Sequence, residues 1–365
     1  MSPLSRSRTS RVALAALAAA LLVVAAACST DASTRVKADD GPTTTAAAVV
    51  TPPSIPPGTT LRIGDQLEYL QTILSVSGQD ADLPYTVEYA NFIGGPPMLQ
   101  AFQGGAVDAG FVASTPLIFA QASGQEIAAV AGWAPEQGLG ALISADPSIE
   151  SWADIKGKRV AYQRGTSAEA AVLTALDEEG LSPSDITTVD VPITQVASTI
   201  KGGSADAGIS TEPLISGFIK DTPGGHVVEK ADDITDRGAF LIASKEALDD
   251  DARSAAIADY VTRLVKAYGY LSEHKEQLAD SIFVQQYGLS AERALELANS
   301  TGVTTFLSLP GDIAEPQQRL ADRFVAAAQI PTEIDTAEEF DTRFNELVQQ
   351  TAKEAGVASQ GGSGS

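Results

Sequence analysis

Short apolar runs alternate with stretches of helical spacing from about residue 60 to residue 245. Leu61–Gly64, Tyr85–Tyr89, Val107–Val112, Ile127–Gly132 and Leu139–Ile143 read as strands. Lys158–Tyr162, Thr188–Val191, Asp206–Ile209, Val227–Glu229 and Phe240–Ala243 continue the series. Helical spacing fills Gln66–Val76, Pro96–Gln103, Ala168–Glu179 and Ile193–Lys201. The alternation predicts an α/β fold with largely parallel sheets. Beyond about 245 the pattern is helical: Ile257, Tyr260, Val261, Leu264, Val265 and Tyr268 share one face.

Both ends of the chain depart from this pattern. Arg6, Arg8 and Arg11 precede an apolar run of 16 residues, Val12 to Ala27. That is short of the roughly 20 residues a membrane span needs, and it reads as an export signal over 1–27. A short uncleaved anchor helix is the other reading. The small residues Ala25, Ala26 and Ala27 followed by Cys28 resemble a bacterial lipobox, although Ala25 stands where that pattern prefers Leu. The resemblance implies cleavage before Cys28 and a lipid on it. Residues 28–58 are rich in Thr, Ser, Pro and Ala without periodicity and read as a disordered tether. Residues 351–365 read as a flexible tail.

Charge and composition narrow the function classes. The chain has 365 residues, 24 basic and 47 acidic, for a net charge of −23. Removing 1–27 takes away three arginines and no acid, which moves −23 to −26. A nucleic-acid binder needs a basic footprint, so that class is excluded. Anionic headgroups would repel such a surface, so a lipid must hold the chain at a membrane. One cysteine excludes an internal disulfide and a Cys-rich zinc site. His226 and His274 are far apart and without Cys partners, so neither a metal nor another cofactor is expected.

An internal echo stands out. Gly104-Gly105-Ala106-Val107-Asp108-Ala109-Gly110 recurs as Gly202-Gly203-Ser204-Ala205-Asp206-Ala207-Gly208, 98 residues later. Ser114-Thr115-Pro116-Leu117-Ile118 follows the first copy; Ser210-Thr211-Glu212-Pro213-Leu214-Ile215 follows the second. Each copy predicts a helix closed by the glycine pair, a short strand, and a new helix opened by Ser/Thr and Pro. Helix starts at the carboxyl ends of strands are where α/β folds hold ligands, anions above all. Two copies predict two lobes that present similar helix starts to one cleft.

The segment Val112 to Gly124 resembles the hallmark segment of solute-binding proteins for aliphatic sulfonates, taurine and nitrate. Gly94 to Phe102 with Asp108, Trp152 to Ala161, and Gln163 to Ser167 fit the same family, so the resemblance spans roughly 60–245. It implies a type 2 periplasmic-binding-protein fold, with two α/β lobes joined by two crossing segments around a ligand cleft. Lobe one would be 59–144 plus 238–350, and lobe two 145–237. It also implies an extracytoplasmic monomer that docks on the permease of an ABC importer.

The cleft candidates each carry two readings. Gln66 either bonds a ligand or is solvated beside a cap from Asp65. Gly95 and Pro96 open a helix, where glycine lets a ligand approach the backbone. Ser114 and Thr115 either face an anion or cap their helix. Thr166 and Ser167 resemble the family's anion clasp in lobe two. Arg164 either pairs with a sulfonate or lies exposed beside a turn. Trp133 and Tyr162 pack on the organic part of a ligand or in the core. Glu212 holds an amino group of a zwitterion, caps a helix, or pairs with a cation such as Arg237.

These readings point to a non-enzymatic binding component that captures a small organosulfonate or related oxyanion. Taurine, nitrate, a pyrimidine or an aromatic sulfur compound are alternative ligands, and a ligand-sensing surface lipoprotein is an alternative role. Related folds also make thiamine or menaquinone precursors, but no Ser-His-acid, Cys-His or metal constellation accompanies this pattern.

Overall fold

The computed structural model describes residues 54–231 and 238–360. Cys28, the export signal and most of the expected tether lie outside the described residues, as does Arg237.

Strands β1 (Thr60–Gln66), β2 (Thr86–Phe92), β3 (Ala109–Ala113) and β4 (Ile127–Pro135) alternate with helices α1 (Tyr69–Val76), α2 (Gly95–Gln103) and α3 (Ser114–Ala122). The chain then enters a second sheet of β5 (Gly140–Ser144), β6 (Arg159–Tyr162), β7 (Thr187–Asp190), β8 (Ala207–Thr211) and β9 (His226–Lys230). Helices α4 (Ser167–Glu178), α5 (Val196–Lys201) and α6 (Leu214–Asp221) belong to this part. Strand β10 (Ala239–Ser244) returns to the first sheet. There follow α7 (Lys245–Asp249), α8 (Asp251–Glu273), α9 (Lys275–Leu278), α10 (Ala291–Ser300), β11 (Thr304–Leu307), α11 (Ala314–Ala326), α12 (Asn345–Glu354) and β12 (Ala358–Ser359).

The first sheet has the order β12-β11-β4-β10-β3-β1-β2 and the second β7-β6-β8-β5-β9. Both are mixed rather than largely parallel. Strand β10 runs antiparallel to β3 and β4, and β5 runs antiparallel to β8 and β9. Because β5 pairs only in the second sheet, the change of lobe comes before Gly140 and not after residue 144. The region after 245 is not purely helical, since β11 extends the first sheet beside β4. The expected tail from 351 begins inside α12, and β12 pairs in parallel with β11.

The central strand β4 is buried from Ile127 to Trp133, which explains its unbroken apolar run. The edge strand β2 carries exposed positions between half-buried ones. Helix α8 buries the face expected from its spacing, Ile257 through Tyr268, and Asp250 caps it by accepting from the Arg253 amide.

The echo is a structural repeat. In the first copy, Asp108 Oδ2 accepts from the Arg62 amide at 2.8 Å and from Arg62 Nε at 3.0 Å. Arg62 Nη2 reaches the other oxygen, Oδ1. In the second copy, Asp206 Oδ2 accepts from the Arg159 amide at 2.8 Å and from Nε at 3.2 Å, while Nη2 reaches Oδ1 at 2.6 Å. Each aspartate thus clamps the start of the neighbouring parallel strand with a bidentate fork. Burial alone would raise the Asp108 carboxyl, but the Arg62 bonds bring it below its ordinary range. The Arg159 guanidinium lowers Asp206 likewise.

The glycine that ends each copy permits close packing. A Cβ on Gly208 would stand 2.6 Å from the Ala161 carbonyl and 2.7 Å from Val196 Cγ1. On Gly110 it would stand 2.8 Å from the Gly64 carbonyl. Gly208→Ala is therefore expected to cost about 1–3 kcal/mol in urea denaturation through overpacking. Gly217→Ala, where a Cβ meets nothing within 4 Å, is the matched control and should be neutral or stabilising. Equal stability of Gly208→Ala and wild type would contradict the packing argument.

Candidate functional site

A cavity of about 490 Å³ lies between the two sheets. Gln66, Phe111, Ala113 and Trp133 line it from the first sheet. Ile209, Ser210, Thr211 and Glu212 line it from the end of β8, and Ser167, Ala168 and Ala171 from α4. Tyr268, Leu271, Ser272 and Lys275 line it from α8 and α9.

The wall is strongly apolar. Tyr69 and Phe111 have ring centroids 5.9 Å apart, Phe111 and Trp133 6.4 Å, and Trp133 and Tyr268 5.7 Å. All four rings line the cavity. Phe306 backs Trp133 at 6.2 Å and Tyr268 at 5.6 Å. Such tilted contacts fix ring orientation beyond simple burial. Tyr268 Oη donates to Tyr69 Oη at 3.4 Å, and burial raises both hydroxyls above the ordinary tyrosine range.

Four of the sequence candidates line this cavity: Gln66, Trp133, Ser167 and Glu212. Gln66 Nε2 donates to the Phe111 carbonyl at 2.7 Å, which ties β1 to β3 at the cavity edge. Beneath it, Asp65 accepts from the amides of Gln66, Leu70 and Gln71 and so anchors the start of α1. Trp133 is both core and wall, 3% exposed.

Glu212 is paired. Its Oε1 accepts from Arg293 Nη2 at 2.7 Å, and its Oε2 from Ser216 Oγ at 2.6 Å and the Ser216 amide at 3.1 Å. Helix start and cation are thus both served, and the cation is Arg293 of α10. The contact joins the end of the second sheet to the helices that follow the first.

Ser114 and Thr115 do not cap α3. The capping position is Ala113, and no side chain caps that helix. Both residues are buried, and Ser114 Oγ and Thr115 Oγ1 have no hydrogen-bond partner among the described residues. They sit behind Ala113, which itself lines the cavity. The echo partner Ser210 lines the cavity directly, and its Oγ is likewise buried without a partner among the described residues. Sequence reading quoted Ser210 in the echo but did not select it.

The remaining candidates lie elsewhere. A Cβ on Gly95 would stand 2.4 Å from Pro116 Cγ, so this glycine serves the contact of α2 with α3. Pro96 faces Gly165 of the second lobe, and Gln163 Nε2 donates to the Ile93 carbonyl at 3.3 Å. These residues form a rim where the two halves meet. Tyr162 is core: its hydroxyl lies 2.9 Å from Thr188 Oγ1. Arg164 is half exposed and spends its guanidinium on Glu169 at 3.5 Å and Gln329 at 2.7 Å. Thr166 caps α4 by accepting from the Ala168 amide.

Sequence reading missed Tyr69, Phe111, Tyr268, Lys275 and Arg293. Each lies in a segment whose spacing signalled only a helix or strand. Lys275 Nζ donates to the Gly302 carbonyl at 3.4 Å, and burial lowers its pKa. Among the described residues no carboxylate forms an ion pair with it, and no group of three or more His, Cys, Asp or Glu could hold a metal. His226 bonds the Gly224 and Ile149 carbonyls, and His274 bonds the Tyr270 carbonyl and stacks on its ring; neither lines the cavity.

Behind α3, Gln317 Nε2 donates to Glu339 Oε2 at 2.7 Å and to the Ser114 carbonyl at 3.2 Å. Glu339 is 2% exposed, and burial pushes its carboxyl up to about 8. The unfolded chain releases this proton near the ordinary glutamate value, so the folded state holds the extra proton in between. Its contribution is full below that ordinary value and is lost as pH rises through about 8. Wild type should lose about 2 kcal/mol more than Glu339→Gln between pH 6 and pH 8.5 in denaturant titrations. Parallel pH profiles would contradict this.

Two sheets with their attendant helices, closing on a cavity walled by strand ends and helix starts, define the two-lobed type 2 periplasmic-binding-protein class. Residues 94–220 match the family model described as NMT1/THI5 like. It is 26% identical over 279 residues to a curated Escherichia coli (strain K12) relative named for binding aliphatic sulfonates, covering 75% of this chain and 86% of that protein. The structure of the periplasmic aliphatic sulphonate binding protein SsuA from Escherichia coli superposes with a TM-score of 0.65 at 26% identity, over 77% of this chain and 92% of that one. The alkanesulfonate-binding protein SsuA from Xanthomonas axonopodis pv. citri, bound to MOPS, gives a TM-score of 0.70 at 24% identity, over 78% of this chain and 99% of that one.

Proposed function

We propose that this chain is the extracytoplasmic solute-binding component of an ABC importer, that it captures an organosulfonate or related oxyanion by lobe closure, and that a lipid on Cys28 tethers it to the cell membrane. The observation that carries the reading is the shared cavity: Ser210 Oγ in its wall is buried without a partner among the described residues. A buried hydroxyl left unpaired is costly, and a ligand oxygen would satisfy it. The aliphatic-sulfonate names of the relatives support the ligand class. The run ending in Cys28 supports the tether.

Closure follows from where the walls come from. A ligand touching both lobes binds the closed arrangement better than an open one, so it shifts the population toward closure. The acidic net charge does not oppose this, because binding is local and Glu212 is neutralised by Arg293.

The test is a thermal-shift and calorimetry screen of the mature chain against sulfonates, taurine, sulfate esters, nitrate, carboxylates and pyrimidines. A ligand at about 100 times its Kd is expected to add about 2.7 kcal/mol of stability. Stabilisation by sulfonates would support the reading. Stabilisation only by nitrate or pyrimidines would replace the ligand class, and no response to any of them would overturn the solute-binding reading.

A further inference from the structure

The lining of the cavity bears on what kind of ligand it takes. Among the described residues, two charged side chains line it, Glu212 and Lys275. Glu212 is already committed to Arg293 and Ser216. Lys275 is committed to a single carbonyl at 3.4 Å, at the long end of hydrogen bonding. Among the described residues the cavity therefore offers one cation with donor capacity to spare. A lysine ammonium has three protons to place, and part-burial without a counter-charge is unfavourable.

The rest of the wall asks for apolar bulk. Tyr69, Phe111, Trp133 and Tyr268 form a continuous row of tilted rings. Tyr268 and Ser272, like Leu271 and Lys275, stand four residues apart across the α8–α9 junction, and all four line the cavity. The aromatic row and Lys275 thus line the same cavity. The cavity volume of about 490 Å³ lies in the range of sites that take drug-sized molecules. A bare oxyanion or a one- or two-carbon sulfonate would leave most of it unfilled and the rings without contact.

Resting on the solute-binding reading above, we propose that the ligand is an organic anion with an aromatic body, its ring against the Tyr69–Phe111–Trp133–Tyr268 row and its negative group on Lys275. A sulfonate and a carboxylate share the required chemistry. The ring gains edge and face contacts from the tilted row, and the anion supplies the counter-charge that the ammonium lacks.

The experiment is isothermal calorimetry on the mature chain with 2-naphthalenesulfonate, 2-naphthoate, the neutral naphthalene-2-sulfonamide and butane-1-sulfonate. Wild type is expected to bind at least one aryl anion at least about ten-fold tighter than butane-1-sulfonate and than the neutral amide. Which aryl anion binds tighter identifies the head group. Lys275→Met, with unchanged circular dichroism, should weaken the aryl anion by at least about ten-fold and leave the amide unaffected. If that variant does not fold, the wild-type contrast between anion and amide decides alone. Equal or tighter binding of butane-1-sulfonate, or an unchanged aryl-anion affinity in Lys275→Met, would overturn this proposal and leave the importer reading standing. No binding of any of these anions, together with no response in the wider solute screen, would overturn both.

Discussion

Each half of this molecule hangs on one arginine–aspartate fork. Asp108 holds Arg62 and Asp206 holds Arg159, each through the backbone amide and the guanidinium together. The fork aligns the start of one parallel strand with the start of its neighbour, β1 with β3 and β6 with β8. Two residues beyond each aspartate a glycine admits the neighbouring backbone and, with it, the packed helix. The strand then runs only a few residues before the chain must turn, and it delivers a serine, Ser114 or Ser210, at its end. Both serine hydroxyls are buried and without a partner among the described residues, and Ser210 stands in the cavity wall. The repeat is thus a device for placing two similar strand ends around one space.

What surrounds that space differs from what the surface suggests. The chain is strongly acidic as a whole, yet the cavity carries one paired carboxylate and one ammonium without a carboxylate partner among the described residues. Contacts between the halves are already made. Gln163 meets the Ile93 carbonyl, Arg293 meets Glu212, and Arg323 of α11 meets Thr174 of α4. An apolar cluster of Ile118, Leu173, Leu320 and Phe324 joins α3, α4 and α11. The two halves therefore touch through polar and apolar contacts alike.

The order of strands, the helices between them and the doubling of the fold were legible because they rest on local periodicity and on a repeated motif. Gln66, Trp133, Ser167 and Glu212 were legible as cavity residues because strand ends and helix starts can be counted. Tyr162 and Arg164 were not separable from them, since the direction of a side chain at a strand end depends on the neighbouring strand, here Thr188 and Asp190 of β7. Gly95 looked like a ligand approach but serves the approach of another helix. Strands β11 and β12 were hidden because they span four and two residues and pair only through the tertiary fold. The aromatic row and Lys275 come from segments distant in sequence, so no spacing rule could assemble them.

The central claim is that the two echoed halves share one ligand in this cavity. The most direct measurement is a crystal structure of the mature chain carrying the ligand it retains from its own cells. The account predicts that ligand between Ser210 and the Trp133–Tyr268 wall, touched by residues of both sheets. A ligand bound outside this cavity, or held by one sheet alone, would contradict it.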